Sequence, residues 1–515
     1  MSKISGDPQD VVAFLGDPAS YAPGVGQVER IETHISLVFL AGDRAYKLKR
    51  AVKYPYLDFS TAAKRRVACD RELALNRRTA PELYLEVHGI GRGPDGAIRW
   101  SGDDSALDWV VVMRRFHQAL LLDSLAEQGG LTAAMMRDLV EHIAAFHARA
   151  KPLLDRGGAV TIAAIEAEND ECLRRAGGRF LPASDIAELH RRSRVWLDHV
   201  ASLLDVRRAT GKVRHCHGDL HLRNICLLAG KPVLFDCLEF SEEMASIDVL
   251  YDLAFLMMDL EHRGLEDFAN LVANRYFDLT DEEGGLAALP LFLAMRAAIR
   301  AHVVATAAAA QDGSDNAPRQ EREARSYLDL ALSLLAPVPC RLIAIGGLSG
   351  TGKSTIAQRL APLLGLRPGA RVLRSDVIRK RLCGVAPETG LPPTAYTADM
   401  TRRVYDAIRD KAAATLQSGY CAIIDAVSLT SEERSSFAAI AATARVPFSG
   451  IWLSAPTESM AARLDGRRDD ASDATPEILQ QQLRHDPGLI DWFRVDVGTD
   501  RDTSLAAVRN VLGLT

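Results

Sequence analysis

The chain has 515 residues, of which 48% are hydrophobic and 25% charged, with a formal net charge of −5. Such a length exceeds one ordinary core and, at about 150 residues per domain, predicts roughly three compact units, while the near-balanced charge offers no electrostatic basis for binding nucleic acid or an anionic membrane. Eight scattered cysteines, without a C-x-x-C pair or a quartet completed by histidine, exclude a disulfide framework and a structural zinc site and read as reduced, mostly buried thiols of a cytoplasmic protein. The polar start over residues 1–10 has no apolar core, and the most apolar helical stretch, 297–310, is interrupted by Arg300 and His302, so neither a signal peptide nor a membrane span is expected.

In chain order, residues 36–40 and 45–49 are apolar or alternating runs around a Gly-Asp turn, which predicts two strands of a hairpin. Lys47 and Lys49 then share one strand face, because side chains alternate with a period of two. Helical spacing runs from 61 to 79 and stops just before Pro81, with Glu72 in its middle. Strands are expected at 83–90 and 97–100 around the turn at 91–96, and a buried strand at 109–113. A strand lysine followed by a helical glutamate is by itself no more than a pair of surface charges, and its weight depends on the residues downstream.

Residues 117–335 are mainly helical by pattern, at 131–150, parts of 159–176, 184–204, 247–262, 286–310 and 319–335. One segment interrupts them. Residues 213–217 lead into Gly218-Asp-Leu-His-Leu-Arg-Asn224, a short strand at 225–228, a turn, and the strand 232–235 that ends at Asp236. Asp219, Asn224 and Asp236 therefore stand at adjoining strand ends.

His217-Gly-Asp219 followed by Asn224, with Asp236 twelve residues later, resembles the catalytic and metal-binding loops of the aminoglycoside phosphotransferases and their relatives, which share the protein-kinase fold. The resemblance implies a small lobe over about 1–116, a large helical lobe over about 117–335, and ATP with Mg²⁺ as cofactors. It implies that Asp219 accepts the proton of a substrate hydroxyl and that Asn224 and Asp236 hold Mg²⁺ against the phosphates. Lys47 would pair with the phosphates, Glu72 would hold that lysine, residues 109–115 would be the hinge strand, and Asp248 with Asp252 match the acidic helix start that follows the metal aspartate. There are departures from the pattern. No G-x-G-x-x-G is present, residues 32–36 standing in its place; Lys49 competes with Lys47 for the phosphate role; and Asp236 is followed by Cys237-Leu238 rather than Phe-Gly, as in the aminoglycoside-kinase relatives. Glu239, Glu242, Glu243 and the acidic run 166–171 would suit a cationic hydroxylated substrate, or are simply a solvated face.

At the proline-bearing joint 336–340 the pattern changes to alternating strands and helices. A strand at 341–346, the stretch Gly347-Leu-Ser-Gly-Thr-Gly-Lys-Ser354 and a helix at 355–364 fit the phosphate-binding pattern G-x-x-x-x-G-K-[ST] at every fixed position. Glycines let backbone N–H groups turn inward on phosphates, Lys353 reaches the β- and γ-phosphates, and Ser354 offers its hydroxyl to Mg²⁺. The expected nucleotide set is Gly347, Ser349, Gly350, Thr351, Gly352, Lys353, Ser354 and Thr355. Further strands are expected at 371–374, leading to Asp376 and Arg379, at 421–424, ending on Asp425, at 446–453 and at 495–498, with a closing helix at 504–512. This part resembles the P-loop kinases, particularly the small-molecule, polynucleotide-kinase and zeta-toxin-like group. The resemblance implies Asp376 as general base, Arg379 as substrate clamp, Asp425 as a ligand of Mg²⁺-bound water, and Arg463 with Arg467 and Arg468 as a lid on the nucleotide that neutralises transition-state charge.

The expected fold is thus an α+β protein-kinase-like domain of two lobes over 1–335, followed by an α/β P-loop kinase domain with a parallel sheet over 336–515. The expected function is ATP-dependent transfer of the γ-phosphoryl group at two sites to hydroxyls of small-molecule acceptors, in the cytoplasm and without a membrane. Basic tracts beyond 64–66 and 374–381 are scarce, which weighs against nucleic acid as a partner. Three alternatives stay open: a rear half that binds ATP only as a regulator, a front half that is a pseudokinase, and a polynucleotide-kinase-like acceptor.

Overall fold

Alternation along the front strands builds a sheet with two apolar faces. The computed structural model describes residues 9–33, 35–54, 57–102, 106–177, 181–310, 317–466, 471–498 and 500–514. The chain divides into two units, Met1–Thr161 with Asp205–Leu256, and Ile162–Leu204 with Met257–Thr515. In the first, the strands are β1 Val28–Glu32, β2 Ser36–Ala41, β3 Arg44–Lys49, the short pair β4 Lys53–Tyr54 and β5 Leu57–Asp58, then β6 Tyr84–Arg92, β7 Ile98–Ser101 and β8 Asp108–Arg114. Six of them form one antiparallel sheet in the order β1-β2-β3-β8-β6-β7. Trp109, Val111 and Met113 of β8 pack with Leu40, Ala45, Tyr84 and, from the helix Ala62–Asn76, Cys69. Val110 and Val112 pack the other way, with Leu37, Phe39, Leu48 and, from the helix Gln9–Gly16, Val11 and Leu15. A strand covered on both faces reads as an unbroken apolar run, which is why 109–113 shows no alternation in sequence.

The same period of two places Lys47 and Lys49 on the face of Ala45, the face that carries the helix with Glu72. That helix starts where Thr61 accepts the N–H of Lys64, and a buried two-pronged pair, Arg65 to Asp108 at 2.7 Å on both prongs, ties its first turns to the start of β8. Later in this unit come β9 Val213–His215, β10 Ile225–Leu228, β11 Lys231–Leu234 and β12 Ser246–Asp248. β10 and β11 make the expected hairpin and β12 pairs with β9, both antiparallel.

In the second unit, β13 Leu342–Gly346, β14 Arg371–Arg374, β15 Ala422–Asp425, β16 Phe448–Ser454 and β17 Phe493–Asp496 form a fully parallel sheet in the order β14-β15-β13-β16-β17. The last strand begins two residues before the expected 495. Ile343, Ile345 and Ile423 face one apolar layer and Leu342, Ala344 and Ile424 the other, as a parallel sheet buried on both faces requires.

The outer edge of β14 would be left with unpaired backbone groups, and the helix Glu266–Thr280 supplies their partners through side chains. Asn270 Nδ2 donates to the carbonyls of Pro368 and Ala370 at 3.0 and 3.1 Å, and Asn274 Oδ1 accepts the N–H of Val372 at 2.8 Å. Beside them Arg371, 3% exposed, pairs with Asp278 at 2.6 Å and Glu283 at 2.8 Å, and Arg275 grips Glu388 at 2.8 and 3.0 Å. This seam explains why residues 257–334, expected with the front domain, group with the parallel sheet in the second unit.

The stretch Glu282–Ala309 is long and apolar enough to cross a membrane, but 72% of its apolar window is buried inside the protein, as in a core helix. All eight cysteines are free thiols, five of them buried.

Candidate functional site

The front constellation starts from two lysines two residues apart on β3. Lys47 Nζ lies 2.8 Å from Glu72 Oε1 and 2.6 Å from Asp236 Oδ1. Lys49 meets the other oxygen of Glu72 and lies 2.5 Å from Glu239 Oε1. The two differ in access: the Lys49 and Glu72 side chains are wholly enclosed, whereas Lys47 keeps 13% exposure and Asp236 40%. Burial opposes charge on Glu72, but Lys47 and Lys49 outweigh it and hold the carboxyl down at about 2. Burial likewise works against the Lys47 ammonium, and the Asp236 and Glu72 carboxylates override it, raising its pKa well above the lysine range. Burial pushes Glu239 up from the ordinary glutamate value against the pull of Lys49.

Asp236 follows β11 in a left-handed conformation, φ 60°, one of the few that Asp tolerates there. Its N–H donates to Tyr84 Oη at 3.1 Å, and the next N–H, of Cys237, donates to Asn76 Oδ1 at 2.8 Å. Asn76 closes the circle by donating to the Glu72 carbonyl at 2.9 Å, so the helix that carries Glu72 also fixes the turn that carries Asp236.

Asn224 Nδ2 donates to the Asp219 carbonyl at 2.9 Å and to its carboxylate Oδ2 at 2.8 Å. The Asn224 carbonyl accepts the N–H of Phe235 at 3.0 Å, which joins the Asp219 loop to the Asp236 turn. Asp252 holds the loop from beneath: its two oxygens accept the N–H groups of His217 at 3.1 Å and Gly218 at 2.8 Å, and His147 Nε2 lies 3.1 Å from one of them. Asp248 takes Arg207 two-pronged at 2.7 and 2.8 Å. In the place of a glycine loop, Glu32 pairs with Arg50 at 2.9 Å and Thr33 Oγ1 with the Ser36 carbonyl at 3.0 Å, while His34 lies outside the described residues. Of the acidic side chains around this site, Glu239 is committed to Lys49, and Glu242 is exposed. The acidic run 166–171 proves mixed: Glu166 is buried 2.8 Å from His190, and Glu168 and Glu171 are exposed.

The rear constellation surrounds a cavity of about 260 Å³. The loop between β13 and the helix Lys353–Leu360 needs its glycines. At Gly347, φ 132°, a Cβ would come within 2.4 Å of the Leu453 carbonyl oxygen, and at Gly350, φ 84°, within 2.5 Å of that of Met460. Thr351 is buried with its hydroxyl on the Leu348 carbonyl at 2.8 Å, and Lys353 Nζ also reaches that carbonyl, at 3.0 Å. Ser349, Gly350, Gly352, Lys353, Ser354 and Thr355 line the cavity at a helix N-terminus, where backbone N–H groups and the helix dipole favour anions. Gln482 clasps Ser349, accepting its N–H at 2.9 Å and donating to its hydroxyl at 3.0 Å.

Asp376, Arg379 and Asp425 line the same cavity. The order of the parallel strands brings them there: Asp425 pairs in register with Ile345 of β13 and Arg374 of β14, so three strand ends share one rim. Asp425 Oδ2 lies 3.5 Å from Arg374 Nε. Burial raises Asp376 above the ordinary aspartate range, against Arg374 and a hydrogen bond from Ser472. Arg463 donates to the carbonyls of Gly350 at 3.3 Å and Gly498 at 2.5 Å, so it braces the backbone of the glycine-rich loop and is not among the cavity-lining residues. Arg467 and Arg468 lie outside the described residues.

Sequence reasoning missed Asn76, Tyr84, Tyr396, Ser472, Asp473 and Gln482. Only Asn76 carried a signal, its place one helical turn after Glu72; the rest come from separate elements that no local pattern connects.

Comparison with known proteins gives two family matches, the phosphotransferase enzyme family over residues 57–289 and an AAA domain over residues 342–486. The uncharacterized protein Rv2004c of Mycobacterium tuberculosis (strain ATCC 25618 / H37Rv) is 31% identical over 489 residues, which span 93% of this chain and 94% of that protein. The uncharacterized protein Mb2027c of Mycobacterium bovis (strain ATCC BAA-935 / AF2122/97) matches to the same extent, 31% over 489 residues with the same coverage of 93% and 94%. Among solved structures, the chain is similar to a choline/ethanolamine kinase family protein from Mesorhizobium loti, at 16% identity over 64% of this chain and 98% of that one, TM-score 0.37. It is also similar to a gluconokinase from Sinorhizobium meliloti 1021, at 22% identity over 35% of this chain and 98% of that one, TM-score 0.24.

Proposed function

Since the chain belongs to the family that joins a phosphotransferase enzyme region to an AAA domain of P-loop kinase type, and is a phosphotransferase, we propose that it uses ATP at two separate sites, passing the γ-phosphoryl group at each to a hydroxyl of a small-molecule acceptor. The reading divides the chain into a kinase-like domain over 1–335, with lobes at about 1–116 and 117–335, and a P-loop kinase domain over 336–515, both working in the cytoplasm and neither on nucleic acid. The observation that carries it is the presence, at each site, of a phosphate-type lysine beside carboxylates of the kinase kind: Lys47 on the metal-side Asp236 next to the Asp219 loop, and Lys353 lining one cavity with Asp376.

The donor sets suit Mg²⁺, a hard cation that prefers oxygen. In front these are the Asn224 amide oxygen and Asp236, whose Oδ2 has no hydrogen-bond partner among the described residues while Oδ1 meets Lys47. At the rear they are the Ser354 hydroxyl and the Asp425 carboxylate, which line the same cavity. When bound, the ion supplies positive charge that offsets the triphosphate's. The protein's own groups do the rest. Asp219 takes the proton of the front acceptor's hydroxyl as its oxygen bonds to the γ-phosphorus, the bond to the β-bridging oxygen breaks and ADP leaves; Asn224 orients that carboxylate, and Lys47, held by Glu72, receives the phosphates. Asp376 plays the same part at the rear, where its raised pKa brings a carboxylate base nearer neutral working pH. Lys353 and the loop N–H groups there grip the phosphates, Arg379 binds the acceptor, and Arg463 steadies the loop.

The test incubates the protein, Asp219→Asn and Lys353→Ala with ATP and an extract of small metabolites, and looks for mass gains of one phosphate. Loss of different products from the two variants is expected. Retention of every product by both variants refutes the proposal, and loss of one shared product from both would assign a single coupled activity, with one site regulating the other.

A further inference from the structure

The two edges of the parallel sheet are treated differently. At β14 the side chains of Asn270 and Asn274 satisfy the outer backbone groups. At β17, the opposite edge, the ladder to β16 sorts the main chain: Val497 donates its N–H to the Ser454 carbonyl at 2.7 Å, and Ser454 pairs in register with Asp496. In such a ladder alternate residues of a strand turn their N–H and C=O groups to the same neighbour. Phe493, Val495 and Val497 therefore face β16, and Arg494 and Asp496 turn theirs outward. None of these outward groups has a hydrogen-bond partner among the described residues, so they form a template for another strand.

Charges of one sign guard an edge by repulsion, and Pro or a bulge blocks it. This strand, Phe-Arg-Val-Asp, has neither, and its two charges are of opposite sign. Both are exposed; the Arg494 guanidinium has no ion pair among the described residues, and Asp496 accepts the Ser454 hydroxyl on Oδ1 alone. They share one face of the strand. Phe493 shares the other with the buried Val495 and Val497, yet it is 56% exposed.

We propose that β17 pairs antiparallel with β17 of a second copy of this chain, about a two-fold axis through Val495, and so merges two parallel sheets across one edge. Outward groups must meet outward groups, which leaves few registers. An axis through Arg494 sets arginine against arginine, and one through Asp496 sets aspartate against aspartate. Through Val495, Arg494 of each copy stands opposite Asp496 of the other. Each such pair exchanges both N–H···O=C bonds, and its side chains lie about 4.5–5.5 Å apart at Cβ, within reach of an ion pair. On the other face Phe493 of each copy lies opposite Val497 of the other, which covers the exposed ring. The pairing is self-complementary and uses the one edge that Asn270 and Asn274 do not close, so association stops at two.

Sedimentation velocity of the whole protein over a wide range of concentration should show monomer giving way to dimer and to nothing larger. Arg494→Asp turns both cross-strand attractions into repulsions and should raise the dissociation constant by about 10-fold or more. Adding Asp496→Arg to it restores the pairs with their signs exchanged, and the dimer should recover. Arg494→Pro deletes an N–H that points out of the sheet, leaves the ladder to β16 whole, and should also weaken the dimer. Hydrogen exchange of the unaltered protein, read residue by residue, needs no variant: the amides of Arg494 and Asp496 should exchange slowly where dimer dominates and fast on dilution, while that of Val495 stays slow at both. A protein that remains monomeric at every concentration overturns the proposal. So does a dimer whose dissociation constant moves by less than about threefold in both single variants, which would place the contact on another surface. A double variant no tighter than Arg494→Asp overturns the register, and with it the proposal. If the variants do not fold, equal exchange of the Arg494 and Asp496 amides at high and low concentration overturns it.

Discussion

Replacing Lys49 by Met separates the two lysines of β3 by what each does. Lys49 is wholly enclosed between Glu72 and Glu239, in a cluster that also holds Lys47 and Asp236, so two cations face three carboxylates. Removing Lys49 takes the formal balance from one negative charge to two, and leaves Glu239, 5% exposed, without its cation. At an effective dielectric of about 20, one ion pair at about 4 Å corresponds to about 4 kcal/mol, and breaking a buried pair costs about 3–5 kcal/mol in measured cases. We therefore expect Lys49→Met to destabilise the first unit by about 3–5 kcal/mol at neutral pH. The double variant Lys49→Met with Glu239→Leu should recover at least half of that, because the stranded carboxylate is gone. Calorimetric unfolding of the whole protein, read at the transition this variant shifts, measures both. The penalty should also grow with pH: Glu239 already sits above the ordinary glutamate value through burial, the variant raises it further, and an acid raised on folding loses stability as pH climbs from its unfolded pKa through its folded one. Lys47→Met should behave differently, abolishing the front-site product with a smaller loss of stability, since Asp236 is 40% exposed and can be hydrated. A cost below about 1 kcal/mol for Lys49→Met, or a double variant no more stable than the single, would refute the assignment of Lys49 as the structural lysine.

Asp376 must be ionised to act as a base, so the acid limb of kcat/KM for the rear product should have its midpoint above the ordinary aspartate range, because burial raises that carboxyl; a limb at or below about pH 4 would contradict this. Asp252→Ala removes the acceptor of two backbone N–H groups in the Asp219 loop and should lower front-site kcat by about 10- to 100-fold with little change in the KM for ATP; steady-state kinetics showing less than about a threefold loss would deny the loop that anchor. Burial opposes charge on Glu283, but Arg371 and Lys411 override it and hold the carboxyl near 2, so its stabilising contribution is complete above about 4.5 and is lost as pH falls through 2. Arg371→Met should therefore destabilise the second unit by about 3–5 kcal/mol near neutrality and flatten that acid slope, which urea unfolding at several pH values would detect.

Much of the fold was legible because it rests on local regularities. Strand runs of period two at 36–40 and 45–49, helical spacing ending before Pro81 and the strand-loop-helix at 341–364 each follow from neighbours in sequence, and the structure has elements there. The cysteines likewise prove to be free thiols. Some limits had equally local causes. The last parallel strand starts at Phe493, two residues early, because Val495 is flanked by half-polar residues of an edge strand that carry no clear pattern. Lys47 and Lys49 could not be told apart, since both fit the alternation; only the enclosure of one and the partial opening of the other separate them.

The sequence by itself determined the identities and spacings on which the proposed sites rest, the glycine-rich loop at 347–354 and the set Asp219, Asn224 and Asp236, because those depend on short stretches of backbone with particular residue types. Only the tertiary structure decided what surrounds them. Asn76 and Tyr84 fixing the turn at Asp236, Asp252 beneath the Asp219 loop, the helix Glu266–Thr280 closing the edge of β14, and Arg379 held by the Ala395 carbonyl and the Thr401 hydroxyl all depend on elements far apart in the chain. Charge compensation and backbone satisfaction are settled by whatever packs within a few ångströms, and that is a property of the assembled layers, invisible to any window of sequence.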